Sequence, residues 1–139
     1  MSEATAVRVQ WSFWVVGAAG LLFNLLGCIN FASQMNAETL ASMPEVYRRM
    51  VEIRPAWGTV AFALAVFGGL LGCLLLLFRK SIAFYVLVAS VIGAVFAQVP
   101  FLGMPDFPVE AWVGWLSQVA INSFLVWYST FAKGRNWVS

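Results

Sequence analysis

Four long apolar stretches, separated by short polar links, constrain the fold of this chain more than any other feature of its sequence. They cover about residues 10–33, 56–78, 81–103 and 109–132. Each exceeds the roughly 20 residues that an α-helix needs to cross about 30 Å of hydrocarbon. Because backbone polar groups inside a bilayer must be paired within their own segment, such stretches predict helices rather than strands. The sequence therefore predicts an all-α, four-helix transmembrane bundle, a single integral membrane domain over residues 1–139.

The composition supports lipid as the medium around much of the chain. Of its 139 residues, 62% are apolar and only 10% are charged, whereas a soluble domain usually carries about 25% charged residues. The net charge of +2 and the absence of a long basic run disfavour nucleic acid as a partner. The lipid bilayer is therefore the first partner that we expect.

The links between the stretches predict how the helices are arranged. Arg79-Lys80-Ser81 is a tight turn, which predicts an antiparallel hairpin of the second and third spans. Residues 103–108 contain two prolines, which end the third span and start the fourth. The long first link contains Ser42-Met43-Pro44-Glu45, which fits a helix-capping box. It predicts a short amphipathic helix over about residues 43–54, lying on the membrane surface or over the mouth of the bundle.

Lysine and arginine positions predict the orientation. With a cytoplasmic N-terminus, the cytoplasmic side carries Arg8, Arg79, Lys80, Lys133 and Arg135, and the outer side carries Arg48, Arg49 and Arg54. The positive-inside rule then favours both termini in the cytoplasm.

The polar residues within the spans are amides rather than ionisable groups. The chain has no histidine, and no charged residue lies at membrane depth. We therefore expect no enzymatic activity, no metal site, no cofactor and no proton pumping by a single subunit. Asn24, Gln98, Gln118 and Asn122 lie on small or polar faces of the first, third and fourth spans. Since an unpaired amide in hydrocarbon is costly, these four side chains should face inward.

Two roles are open for these four amides. They could bond to one another and hold the helices together. They could instead line a small cavity for an uncharged hydroxylated ligand, because an amide supplies both a donor and an acceptor. The second role makes all four the candidate ligand-binding residues.

Glycines predict where helices approach each other closely. Gly20 and Gly27 lie on the small, polar face of the first span, and Gly68 and Gly72 form a GxxxG pattern in the second. The absence of side chains at this spacing lets two backbones come together. We expect the Gly68–Gly72 face to contact the first span or to form a homodimer seam.

Five short runs follow one another along the chain. They are Phe23-Asn24-Leu25-Leu26-Gly27, Arg54-Pro55-Ala56-Trp57, the second-span run from Ala65 to Leu74, Arg79-Lys80 and Trp127-Tyr128. Together they resemble a family of small, uncharacterised four-helix bacterial inner-membrane proteins, many of which carry the name "sugar transporter". The resemblance implies a multi-pass protein of the bacterial inner membrane and, through that name, a sugar as the solute.

Two functions follow from these patterns. The first is a transport-type protein for an uncharged hydroxylated solute such as a sugar, acting as a homo-oligomer because four helices barely enclose a passage. The alternative is a non-catalytic accessory or scaffold subunit that packs against another membrane protein through Gly68, Gly72 and its aromatic surface.

Overall fold

The computed structural model describes residues 10–139, and this range is helical with no strand. Its helices are α1 (Trp11–Met35), α2 (Ala37–Ala41), α3 (Glu45–Ile53), α4 (Ala56–Leu77), α5 (Ala83–Gln98) and α6 (Val109–Gly134). A 3-10 turn over Val99–Phe101 continues α5. Arg8, which entered the orientation prediction, lies outside the described residues.

Three helices are long and apolar enough to cross a membrane, namely α1, α4 and α5 with its 3-10 turn. Large apolar side chains on their outer surfaces are open to the surroundings, such as Leu22 with 59% and Leu71 with 50% of its surface exposed. So many exposed apolar side chains on every long helix would be unfavourable in water. These helices indicate a membrane protein. Helix α6 has 26 residues but is the least apolar of the four long helices.

The link between the first and second spans differs from its prediction in the part before α3. Helix α3 lies within residues 43–54, where the sequence predicted a short surface helix, but the predicted capping box does not form. Pro44 occupies the N-cap of α3 without a side-chain bond, and Ser42 Oγ donates instead to the carbonyl of Thr39, 2.7 Å away. The reason is α2, a turn of helix that the sequence did not predict, capped by Asn36 through the amides of Glu38 and Thr39.

The four long helices form a ring in the order α1, α4, α5, α6. As predicted, α4 and α5 pack as an antiparallel hairpin, and this is the most extensive contact in the molecule. The ring is weakest between α6 and α1. The two helices pack closely at Gly20, where an added Cβ would lie 2.9 Å from Leu125 Cδ1.

The core lies at one end of the ring, which we call the tail end because residues 135–139 fold back there. Trp137 and Val138 are buried against Phe13, Tyr128 and their neighbours. The Ser81 amide donates to the Ser139 carbonyl at 2.9 Å, and the Ser139 amide donates to the Arg79 carbonyl at 3.0 Å. The tail thus closes this end of the bundle. The opposite end, which carries α3, is called the α3 end.

Candidate ligand-binding cavity

Two asparagines bond to each other in the middle of the bundle. The Nδ2 of Asn24 on α1 donates to Oδ1 of Asn122 on α6 at 3.0 Å, and the Nδ2 of Asn122 lies 3.3 Å from Oδ1 of Asn24. Neither side chain has any exposed surface. Because each amide satisfies the other, both can be buried at low cost.

The pair extends into a network that reaches all four long helices. Asn122 Nδ2 also donates to Ser90 Oγ on α5 at 2.8 Å, and Ser90 Oγ donates to the α4 carbonyl of Ala65 at 2.6 Å. Gln118 Nε2 lies 3.2 Å from Asn24 Oδ1 and 3.3 Å from the same Ala65 carbonyl. We call these four residues, the amides of Asn24, Gln118 and Asn122 with the hydroxyl of Ser90, the amide layer. Each hydrogen bond of this kind between membrane helices contributes about 0.6 kcal/mol on average.

Gly69 on α4 makes room for the amide layer. A Cβ at this position would overlap Oδ1 of Asn24 and lie 3.0 Å from Nδ2 of Asn122. Only a residue without a side chain lets the α4 backbone lie against this pair. Gly69 is therefore the glycine on which the network depends most directly.

Between the amide layer and the α3 end, the bundle encloses a cavity of about 600 Å³. Gln118 forms its floor, the four long helices form its walls, and α3 with the two residues before it covers part of its mouth. Most of the lining is apolar or aromatic. The polar and charged residues that line it are Asn30, Gln34, Tyr47, Arg54, Gln98, Glu110, Trp115 and Gln118.

Gln98 lines this cavity, and its side-chain nitrogen is itself buried. Only 5% of its surface is exposed, and its Nε2 has no hydrogen-bond partner among the described residues. Trp115, which also lines the cavity, is satisfied because its Nε1 donates to the Ala94 carbonyl on α5 at 2.8 Å. Leaving a buried donor unpaired costs about 1–3 kcal/mol, so Gln98 favours a bound acceptor.

Arg54 is a partly buried cation near the mouth of the cavity. Its Nη1 donates to Oε1 of Gln34 at 2.9 Å, and its guanidinium lies 4.9 Å from the ring centre of Phe62 and 5.5 Å from that of Phe101. Burial lowers the pKa of this guanidinium from its ordinary value. Within residues 10–139, no carboxylate lies within ion-pair distance of it.

An ion pair joins α3 to the link between α5 and α6 across the mouth. Arg49 donates to Asp106, and this bond lowers the pKa of Asp106 while raising the pKa of Arg49. Because the pKa of Asp106 is lowered, the attraction is complete above its ordinary pKa and is lost as pH falls through the lowered value. The pair is exposed, so salt weakens it. It connects α3, which covers part of the mouth, to the link between α5 and α6.

The structure divides the four predicted ligand-binding amides into two pairs. Gln98 and Gln118 line the cavity, whereas Asn24 and Asn122 have no exposed surface and bond to each other beneath its floor. Sequence reasoning did not single out Arg54 as a site residue. Its position directly before Pro55 and the second apolar stretch was the available signal, since it places a cation at the end of a span.

All four predicted packing glycines lie against a neighbouring helix. A Cβ at Gly27 would lie 2.9 Å from Cγ1 of Val66 on α4. Gly68 and Gly72 face α5, where a Cβ would lie 3.4 Å from Ser90 Cβ and 2.6 Å from Leu87 Cδ2 respectively. Contact of this pair with the first span was therefore the wrong prediction, because the short turn after α4 brings α5 onto that face.

Comparison of the chain with protein-family models, with curated proteins and with solved structures finds no match. The cavity and its lining residues therefore carry the functional argument.

Proposed function

We propose that this chain is a transport-type membrane protein that binds its ligand in the cavity, through uncharged oxygen atoms bonded to Gln98 and Gln118. The buried, unpaired Nε2 of Gln98 is the observation that carries this proposal, because a ligand hydroxyl or carbonyl would satisfy it once the side-chain amide rotates toward the cavity. No ionisable side chain lies at the floor, which favours an uncharged part of the ligand there. A hydroxylated solute such as a sugar belongs to this class.

We place the protein in a bacterial inner membrane with α6 as a fourth span and both chain ends on the cytoplasmic side. The length of α6, about 39 Å for 26 residues, supports the fourth span. Its packing against α5 supports it as well. In this arrangement the α3 end, with the cavity, faces outward. The homo-oligomer predicted from the sequence remains part of the proposal, since one ring of four helices holds a cavity rather than a passage.

The accessory-subunit alternative loses one of its predicted surfaces. Gly68 and Gly72 were the candidate face for another protein, but α5 of the same chain covers them. The cavity has no part in that alternative, so ligand binding is the better supported function.

Identifying a molecule that copurifies with the chain tests ligand binding. The protein is extracted in mild detergent, and bound small molecules are identified and counted by mass spectrometry. We expect about one molecule per cavity, with occupancy about tenfold lower in Gln98→Leu and Gln118→Leu, because each change removes a hydrogen bond to a buried group. Gln10→Leu, an exposed glutamine outside the cavity, is the matched control. Equal occupancy in all four proteins would contradict cavity binding.

Uptake into proteoliposomes tests the transport part separately. The copurified molecule and a panel of uncharged sugars and polyols are offered to vesicles that contain the wild-type chain. We expect at least one to enter faster than it enters empty vesicles. Uptake equal to that of empty vesicles, with binding retained, would remove transport and leave a binding protein.

A further inference from the structure

The cavity is open on its side, between α1 and α6. The contacts that join these helices run from Phe13–Tyr128 at the tail end to Asn24–Gln118 at the amide layer. Beyond this level, residues of both helices line the cavity. Leu26 on α1 is 58% exposed, and nothing lies within 4 Å of a Cβ placed at Gly114 on α6, yet both residues line the cavity.

This side opening faces lipid, while the route from water is partly covered. The opening lies between two long helices at a depth below their α3 ends. The mouth is crossed by α3, whose Tyr47 and Met50 line the cavity, and the Arg49–Asp106 pair ties α3 in place. A ligand from the hydrocarbon layer therefore meets less obstruction than a ligand from water.

From the mouth of the cavity inward, its polar side chains are arranged in the same order as the polar groups of a phospholipid. Arg54, stacked on Phe101 near the mouth, has a guanidinium that suits a phosphate. Gln98 lies three residues from Phe101, about 5 Å deeper, where its buried, unpaired Nε2 could donate to an ester carbonyl after rotation of the side-chain amide. Below Gln98, apolar walls continue to the floor. Glu110, exposed at the rim, would pair with the ammonium of a zwitterionic head group.

We infer that the ligand of the cavity is a zwitterionic phospholipid of the surrounding bilayer, with its phosphate on Arg54, an ester carbonyl on Gln98 and an acyl chain in the opening between α1 and α6. This inference rests on the proposed function and names the ligand class for the same site. A water-soluble sugar leaves Arg54 and the apolar side opening without a role. A free phosphate would bind Arg54 but would leave the opening empty.

Photolabelling from within the bilayer tests this assignment. The chain is reconstituted in nanodiscs of phosphatidylethanolamine that contain a small fraction of the same lipid with a diazirine in its acyl chain. After illumination, labelled residues are mapped by mass spectrometry. We expect label on the cavity wall at Phe62 and Ala97, in addition to label on outward-facing residues such as Leu22 and Ile92, which are 59% and 50% exposed.

Two variants separate the head-group contact from the side opening. Arg54→Gln should reduce wall labelling at least about tenfold, because it removes a charge-assisted bond. Gly114→Trp should abolish wall labelling by filling the opening. Label on Leu22 and Ile92 should stay unchanged in both. The matched controls are Arg48→Gln, an arginine of α3 outside the cavity lining, and Gly103→Trp, a glycine with open space outside the cavity.

The outcomes distinguish this inference from the proposed function. Wall labelling that is absent from the wild type, with Leu22 and Ile92 labelled, would overturn the phospholipid assignment. A copurified sugar lost in Gln98→Leu would then leave the proposed function standing. Competition by an excess of inorganic phosphate would also overturn the assignment, because it would show that Arg54 binds the free anion. Wall labelling that Gly114→Trp does not reduce would exclude the opening between α1 and α6.

Discussion

Gly69 shows how a single missing side chain determines the middle of this bundle. The sequence drew attention to Gly68 and Gly72 through their GxxxG spacing, and both do pack closely, against α5. Gly69 gave no such signal, because its neighbour is an amide on α1 that is 45 residues away in sequence. Residue spacing reveals that a helix face is small but does not reveal which helix covers it.

Gly69→Ala should destabilise the fold by about 1–3 kcal/mol more than Gly114→Ala does. Both changes add one methyl group inside a helix, so their intrinsic helix propensities cancel. The added Cβ overlaps Asn24 in the first variant and meets open space in the second. Thermal unfolding in one detergent, followed by circular dichroism, measures the difference. Equal stabilities would show that the amide layer has room to move.

The long helices were predictable because their signal is local. A run of more than 20 apolar residues determines a helix without reference to the rest of the chain, and the helix bounds agree with the predicted stretches within a few residues, except at the C-terminal end of the third. There α5 ends at Gln98 and a 3-10 turn takes over at Val99, because Pro100 cannot continue the α-helix. The cavity was not predictable, since it depends on the separation of α1 from α6, which no single stretch encodes.

The tail, residues 135–139, is an element that the sequence did not predict. No pattern in the sequence singled out Trp137, yet it is only 3% exposed and lies edge-on to Phe13 and Phe131. Arg79 Nε donates to its carbonyl at 2.7 Å. The return of the chain at Asn136, with φ of 59°, brings this indole into the core.

Trp137→Ala should therefore destabilise the protein by about 3 kcal/mol or more, because it empties a large site in the core. Trp127→Ala provides the control, since Trp127 is 59% exposed on the outside of α6, and its loss should cost much less. Chemical unfolding in mixed detergent micelles, followed by the remaining tryptophan fluorescence, compares the two. A larger effect at Trp127 would place the tail outside the core.

At the scale of the whole molecule, the tail contacts make the membrane topology testable. The backbone bonds between Ser139 and residues 79–81 hold the end of α6 beside the α4–α5 turn. If α6 crosses the membrane, the link at Gly103 must lie on the other side. Lys80→Cys and Arg135→Cys, each in a background with Cys28 and Cys73 replaced by alanine, should react with an impermeant maleimide from the cytoplasmic side. Gly103→Cys should react from the outer side. Reaction of Arg135→Cys from the same side as Gly103→Cys would exclude the fourth span.

The amide layer separates two halves of the bundle that have different roles. Towards the tail, the closely packed side chains and the hydrogen-bonded backbone stabilise the fold. Towards α3, the space between the helices is the cavity, and a position on its wall such as Gly114 has open space around it. Substitutions there can change which molecule is admitted with little loss of folding stability, so ligand preference can evolve in this protein faster than its architecture.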